Sequence, residues 1–364
     1  MHAYQVATRL AALGQRVTIL TSDRTRTLPE REVIEGLQVE RVSAWPRDRD
    51  YYLAPRIFSK VMAADFDVLH VQSYHTFVPP IAMTAALSAR NPYVVTFHGG
   101  GPFLSVRDVK QFAQRIILRP LLARASKLIA VAKFEIDVFS QALHLPLEKF
   151  ALIPNGADIP RPHNAIGSTT RDERLIVSVG RLEKFKGFHR LIRALPMVLK
   201  RRPDVRVRII GDGPYHQELC SLAEQLGVRE KVTIGAIPPT ERHVLAAELT
   251  RAGLFVSFSE YETHPLAALE AISLGCSALV ADTPGLRDLA EQGLAKVVSL
   301  DVADEQLAEA IVAQLDSPFL LKAIQLPSWD DCARSLLAVY ETVTGESNAR
   351  FASGPILPAI SGRH

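Results

Sequence analysis

Cysteine is scarce in this chain: its 364 residues hold three, at Cys220, Cys276 and Cys332. Three widely spaced thiols make neither a disulfide framework nor a four-ligand zinc set, so the reading is a reducing compartment, the cytoplasm. No apolar run reaches the ~20 residues that span a bilayer, and the first residues lack the basic start and apolar stretch of a secretory leader. Charge of one sign is not in great excess, since 42 Lys and Arg against 39 Asp and Glu leave a formal net charge of +3. That mild excess is compatible with peripheral contact at the inner membrane surface and too weak to argue for nucleic acid. Gly211-Asp212-Gly213-Pro214 is not G-x-G-x-x-G, so nothing points to NAD. No Ser-His-Asp or Cys-His order is arguable. What remains is the composition of an ordinary globular protein, 48% hydrophobic and 22% charged, long enough for two domains with sizeable cores.

The most informative stretch runs from Ser259 to Ala271. Glu262 and Glu270 flank an expected helix start, where Thr263 or His264 can cap and Pro265 suits the first helical position. Glu262 then lies in the loop and Glu270 in the second turn. The N–H groups of Leu266 and Ala267 are expected to point out of the positive end of the helix, a ready phosphate site. Carboxylates beside such a site can accept hydrogen bonds from sugar or ribose hydroxyls. A capped helix with two solvated glutamates fits the segment equally well. Upstream, 176–181 reads as a buried strand ending in Gly180 and Arg181, and 182–187 leads into a helical pattern through Leu191, Ile192, Leu195 and Leu199. Ligands of open α/β sheets sit beyond the carboxyl ends of strands, which places Arg181 and Lys186 where two cations would meet a diphosphate. His98 likewise ends a strand and precedes Gly99, Gly100 and Gly101, which allow close backbone approach to a ligand.

The pairing of Val179-Gly180-Arg181-Leu182-Glu183-Lys184-Phe185-Lys186-Gly187 with E-x7-E resembles the large retaining glycosyltransferase family usually numbered four, over nearly the whole chain. The resemblance implies the GT-B fold, an α/β architecture of two Rossmann-like parallel-sheet domains facing a cleft. It implies transfer of a sugar, with retention, from a UDP- or GDP-sugar to an acceptor that the residues do not identify. It assigns Glu270 to the ribose hydroxyls, Glu262 and His98 to the donor sugar, and Gly180, Gly211 and Gly213 to the surroundings of the nucleotide. Arg181, Lys186 and the helix start stand in for a metal, so neither metal nor other cofactor is expected, and no protein nucleophile is required. The sequence departs from the family at Thr263-His264-Pro265, where Gly-Phe-Gly is usual. Pro265 removes one backbone donor, a loss of roughly 0.5–1.5 kcal/mol, and His264 stands where an aromatic donor contact would be.

Strand-like runs at 16–21, 37–42, 67–71, 93–97, 127–131 and 151–154, then at 175–179, 205–210, 231–234, 254–258, 278–281 and 296–299, alternate with helical stretches, which implies parallel sheets. The expected division is a first domain over 1–155, a linker over 156–172, a nucleotide-sugar domain over 173–328, a crossover helix over 329–346 and a disordered tail over 347–364. The chain opens inside a helix, with Val6, Leu10 and Leu13 on one face, Arg9 on another and Gly14 ending it. The first domain is therefore expected to lack its first strand and glycine turn, with His2 matching a histidine that follows that turn in the family. Asp48-Arg49-Asp50 and Asp65-Phe66-Asp67 fit a loose D-x-D metal pattern, but they read as a charged loop and a helix-to-strand connector. Two alternatives stay open: a GT-B nucleotide-sugar epimerase, for which no acid/base carboxylates are evident in the first domain, and a non-catalytic truncated partner chain.

Overall fold

A computed structural model describes residues 2–47, 52–74, 76–99, 109–160, 171–319 and 326–345, without side chains over 109–116. Asp48-Arg49-Asp50, Gly100, Gly101 and the 347–364 tail lie outside the described residues. The first half runs α1 (His2–Ala12), β1 (Thr18–Asp23), β2 (Arg31–Ile34), β3 (Leu37–Ser43), α2 (Arg56–Ala63), β4 (Leu69–Gln72), α3 (Val78–Ala89), β5 (Tyr93–Thr96), α4 (Val109–Arg124), β6 (Lys127–Ala130), α5 (Lys133–Leu143) and β7 (Phe150–Leu152). Its strands form two sheets, β1-β3-β2 and an all-parallel β4-β5-β6-β7, with no bonded pair between β1 and β4. β2 pairs antiparallel with β3 and was not expected from the sequence. Its Val33 and Ile34 face solvent, so it carries no hydrophobic alternation to announce it.

α1 buries Val6, Ala7 and Leu10. Leu13, expected on the same face, falls beyond the helix end and is exposed, because Gly14 turns the chain there at φ 87°. Arg9, on another face of α1, is held in ion pairs with Asp158 at 3.4 Å and Asp330 at 2.8 Å.

The second half contains β8 (Asp172–Val179), α6 (Phe188–Arg201), β9 (Arg206–Ile210), α7 (His216–Gln225), β10 (Val232–Gly235), α8 (Arg242–Arg251), β11 (Ala252–Ser257), α9 (Leu266–Ser273), β12 (Ser277–Ala281), α10 (Leu286–Glu291), β13 (Lys296–Val298) and α11 (Asp304–Asp316). The strands make one sheet in the order β10-β9-β8-β11-β12-β13, all parallel. Its central strands are apolar on both faces because helices cover both sides, as with Leu254, Phe255 and Val256. The amphipathic α6 contributes Leu191, Ile192, Leu195 and Val198 to this core, while Leu199 is only partly buried.

α12 (Trp329–Thr344), capped by Ser328, returns to the first half. Its Trp329, Cys332, Ala333 and Leu336 share a core with Val6 and Leu10 of α1 and with Val94, Ile129 and Ile153. The chain entering the second half is clamped to it. A Cβ at Gly156 would lie 2.2 Å from the Trp329 nitrogen, and Ala157 N–H donates to the Pro327 carbonyl at 2.8 Å.

Candidate active site

The strand order places β8 between β9, which precedes the reversal, and β11, which follows it, so the loops leaving β8 and β11 diverge at a topological switch point. The candidate residues of the second half collect there. Gly180 and Arg181 leave β8, and Gly211 and Gly213 leave β9. These two loops lie backbone against backbone: Gly180 N–H donates to Ile210, Leu182 N–H to Asp212 and Tyr215 N–H to Leu182. A Cβ at Gly211 would sit 1.9 Å from the Gly180 carbonyl oxygen, so glycine there is set by packing of the strand-end loops.

Lys186 and Glu262, 76 positions apart, meet directly. The Lys186 Nζ donates to Glu262 Oε1 at 2.7 Å, and the Ser259 hydroxyl donates to the same oxygen at 2.8 Å. Two glycines make that approach possible. Gly187, at φ 71°, lies where a Cβ would come within 2.0 Å of the Phe258 carbonyl oxygen; Gly285, at φ 79°, lies where one would come within 2.2 Å of that of Glu262. Lys186 is therefore held half-buried in an ion pair, more shielded than its place in a strand-end loop suggests. Arg181 faces solvent: its side chain is 77% exposed and pairs with Glu183 at 2.6 Å.

The start of α9 differs from the sequence expectation. Pro265 occupies the cap position instead of the first helical turn, and neither Thr263 nor His264 makes a side-chain cap bond. The Leu266 N–H is not available to a ligand, since it donates to the His264 carbonyl at 2.8 Å. Pro265, at ψ 71°, closes a tight turn that folds this N–H back. Thr263 instead shares a 3.1 Å bond with the Tyr261 hydroxyl. Burial lowers the His264 pKa to about 4, so its ring is neutral at pH 7. Ala267 packs partly buried against the core.

Glu270 lies in the second turn of α9, as expected, but it is not solvated. It is 5% exposed and accepts from Arg242 of α8. Burial raises its pKa against the opposing pull of Arg242, and Asp158 of the clamped segment adds to the rise. Arg242 was missed in the sequence because a lone arginine opening a helix carries no local signal.

His98 leaves β5 in the first half. Its Nε2 lies 2.5 Å from Gln72 Oε1, and its ring meets that of His2 edge-on at 4.3 Å. His2 in turn meets Trp329 of α12 at 5.7 Å, and Leu266 packs against the same α1–α12 cluster. His98 is thus joined to the α9 start through a short chain of packed rings. Burial and the neighbouring His98 and His70 hold the His2 pKa down to about 2. Beneath the loop that begins at His98, Glu135 is fully buried. Its Oε2 accepts from Val131 N–H at 2.8 Å, and burial pushes its pKa up to about 7 although the Gly99 and Ala132 N–H groups also bond it. Phe134 beside it meets Tyr261 of the second half at 6.4 Å. Among the described residues, no group of three or more His, Cys, Asp or Glu is placed to hold a metal ion, and no helix is long and apolar enough to cross a membrane.

Comparison with known proteins agrees with this architecture. Residues 1–161 match Glycosyltransferase Family 4 and residues 163–325 match Glycosyl transferases group 1. The GDP-mannose:cellobiosyl-diphosphopolyprenol alpha-mannosyltransferase of Xanthomonas oryzae pv. oryzae is 28% identical over 84% of this chain and 81% of its own length. The D-inositol 3-phosphate glycosyltransferase 1 of Catenulispora acidiphila is 26% identical over 94% of this chain and 90% of its own. Among solved structures, the sucrose-phosphate synthase of Thermosynechococcus elongatus superposes with a TM-score of 0.69 at 18% identity, over 95% of this chain and 90% of that one. Anabaena HepE in complex with UDP-glucose does so with a TM-score of 0.63 at 18% identity, over 90% and 98%. Two parallel-sheet halves of this kind, with candidate residues at the strand ends of both, define a GT-B glycosyltransferase. The chain belongs to glycosyltransferase family 4 and is an enzyme that uses nucleotide-sugar donors.

Proposed function

We propose that the chain transfers a hexose, with retention, from a nucleoside diphosphate sugar to a lipid-linked acceptor. The observation that carries the reading is the meeting of Lys186 and Glu262 at the switch point, beside the start of α9. As the anomeric bond breaks, negative charge builds on the leaving diphosphate. Lys186, released from Glu262, and Arg181 neutralise it in the role a metal plays elsewhere, and the remaining free amides of α9 add the helix dipole. Glu262, once parted from Lys186, accepts from donor-sugar hydroxyls, with His98 on the opposite wall. Glu270 takes the ribose hydroxyls, oriented by Arg242.

GDP-mannose is the first donor to test, because relatives from Xanthomonas oryzae, Xanthomonas campestris and Komagataeibacter xylinus are named for it. Those relatives act on cellobiosyl-diphosphopolyprenol, and one from Mycobacterium tuberculosis is named for phosphatidyl-myo-inositol, which supports an acceptor presented at a membrane surface. Basic residues outnumber acidic ones in 1–155 and not in the rest, which fits approach of the first half to anionic lipid. The test is a thermal-shift screen of GDP-, UDP- and ADP-sugars, then proton NMR of the product anomer and a repeat with EDTA. We expect a shift with one base, a retained anomer and activity unaffected by chelation. No shift with any nucleotide refutes the donor site, and an inverted anomer refutes the mechanism. Loss on chelation restored by manganese refutes the metal-free assignment.

A further inference from the structure

Two loops at one edge of the first half leave large apolar side chains in solvent, and the donor-site assignments use neither loop. The loop after β1 is closed on itself by the buried Asp23, which accepts from Thr25 N–H at 2.8 Å and Leu28 N–H at 3.0 Å. Leu28 is thereby held outward and exposed. The loop after β3 is closed by Trp45 and Leu53, which exchange both backbone hydrogen bonds: Trp45 N–H donates to the Leu53 carbonyl at 2.9 Å, and Leu53 N–H to that of Trp45 at 2.8 Å. Residues paired in this way project their side chains to one side, and both of these are exposed. The loops interlock, since Arg24 donates to the Arg47 carbonyl at 3.0 Å and lies over the Tyr52 ring at 5.5 Å. Ala44 and Ala54, at the two feet of the second loop, share a core with Tyr74 and Phe97, so both loops stand on the edge that carries His98.

We infer that this edge is a docking surface for an anionic phospholipid bilayer, with Leu28, Trp45 and Leu53 seated among the headgroups and Arg26 and Arg47 on lipid phosphates. The inference rests on the lipid-linked acceptor reading and names the face that meets the membrane. Charge selects the occupant. Arg24, Arg26, Arg47 and Arg56 stand here against Glu30, and 48–50 adds one net negative charge in sequence. Glu30 is spent on Arg56 at 3.1 Å and Lys60 at 3.4 Å, whereas Arg26 and Arg47 are exposed and make no ion pair among the described residues. Indole favours headgroup depth, and guanidinium pairs with phosphate through two parallel hydrogen bonds. Three apolar side chains fall well short of the roughly 20 residues a side of a stable protein interface, but a few inserted side chains suffice where basic groups add their attraction to an anionic surface. Docked this way, the edge that carries His98 faces the bilayer, where a lipid-linked acceptor is held.

The chain has two tryptophans. Trp45 is 65% exposed and Trp329 only 2%, so a change in emission reports on Trp45. The test is titration of the full-length protein with vesicles of phosphatidylcholine, with and without phosphatidylglycerol. Only the anionic vesicles should shift the emission to the blue, lipids brominated near the headgroup end of the acyl chain should quench it, and high salt should weaken binding. Trp45→Ala combined with Leu53→Ser should lower partitioning by at least about tenfold. Arg26→Gln combined with Arg47→Gln should lower it about 25-fold, near fivefold for each charge. Val33→Ser removes an apolar side chain that is 71% exposed at the far end of the β2–β3 pair and should leave partitioning unchanged. Nucleotide affinity should match wild type in all three. Absence of a shift with anionic vesicles, equal binding to neutral ones, or an equal loss in Val33→Ser overturns the inference. So does a blue shift that grows with protein concentration in the absence of lipid, which makes the patch an interface between copies of this chain. Should a double variant not fold, wild-type emission with the two kinds of vesicle decides. If vesicles bind as stated and no lipid-linked acceptor is turned over, the acceptor reading fails and the docking surface stands. Turnover of such an acceptor in vesicles that neither double variant lowers keeps the acceptor reading and removes the surface.

Discussion

Removing Glu262 should strengthen binding of a bare nucleoside diphosphate, while removing Lys186 should weaken it. The two are locked together at 2.7 Å, with side chains only 20% and 16% exposed. At an effective dielectric of about 20, such a separation gives a gross attraction of about 6 kcal/mol, most of it offset by lost hydration. About 1–2 kcal/mol is the net gain that an arriving diphosphate has to overcome. Glu262→Gln removes that competition and the repulsion between carboxylate and phosphate, while the amide oxygen still accepts from Ser259. Affinity for GDP or UDP, whichever the protein binds, should then rise about 5- to 30-fold. Lys186→Ala removes the cation itself and should cost on the order of 2–5 kcal/mol in the same measurement.

The assay is calorimetric titration of both variants at low and high salt. Sugar transfer should fall in both, since each loses a contact to the donor. Opposite signs in nucleotide affinity together with a shared loss of turnover identify a pair that must open for the donor to enter. If Glu262→Gln weakens nucleotide binding as Lys186→Ala does, the carboxylate supports the diphosphate site in place and the reasoning is refuted. Unchanged affinity in Lys186→Ala and in Arg181→Ala would remove the diphosphate role from both cations.

Glu270→Ala should lower affinity for a nucleoside diphosphate but barely alter that for inorganic diphosphate; it should also lower Tm, because Arg242 loses its buried partner, and equal binding losses for both ligands would show that Glu270 only shapes α9. Gly285→Ala places a methyl group against the Glu262 carbonyl at a positive φ and should cost at least about 1–3 kcal/mol of stability along with donor binding; a folded variant of normal affinity contradicts the packing described. Glu135 holds its proton up to about pH 7 in the fold but ionises near 4.5 when unfolded, so its contribution is present below pH 4.5 and lost as pH rises through 7. Glu135→Gln should therefore gain stability relative to wild type between pH 5 and 8, by up to about 3 kcal/mol in chemical denaturation, and a constant difference across that range would mean the carboxyl is not raised.

The parallel alternation, the crossover helix beginning at Trp329 and the place of Gly180, Arg181 and His98 at strand ends were legible because each depends on a few consecutive residues. Gly180-Arg181 follows an apolar run, Glu262 and Glu270 bracket one turn, and α12 opens with Ser-Trp-Asp-Asp and a capping box. Less of the site's electrostatics could be read that way. Lys186 and Glu270 pair with Glu262 and Arg242, side chains from distant segments that no run of consecutive residues announces. Pro265 shows the same limit at shorter range. A proline ahead of a helix can stand at its first turn or at its cap, and only the folded turn shows that Leu266 N–H is already spent on His264. Gln72 and His70 gave no signal at all, alternating in a short strand where a polar side chain reads as solvated. Both look inert until β5 and α12 bring His98 and Tyr340 to them, so their chemistry belongs to the juxtaposition of three elements and to none of them singly. Substitutions that spare the motif glutamates but disturb such cross-element contacts, at Arg242, Gln72 or Gly285, are accordingly where loss of activity should be hardest to anticipate from sequence and easiest to explain from geometry.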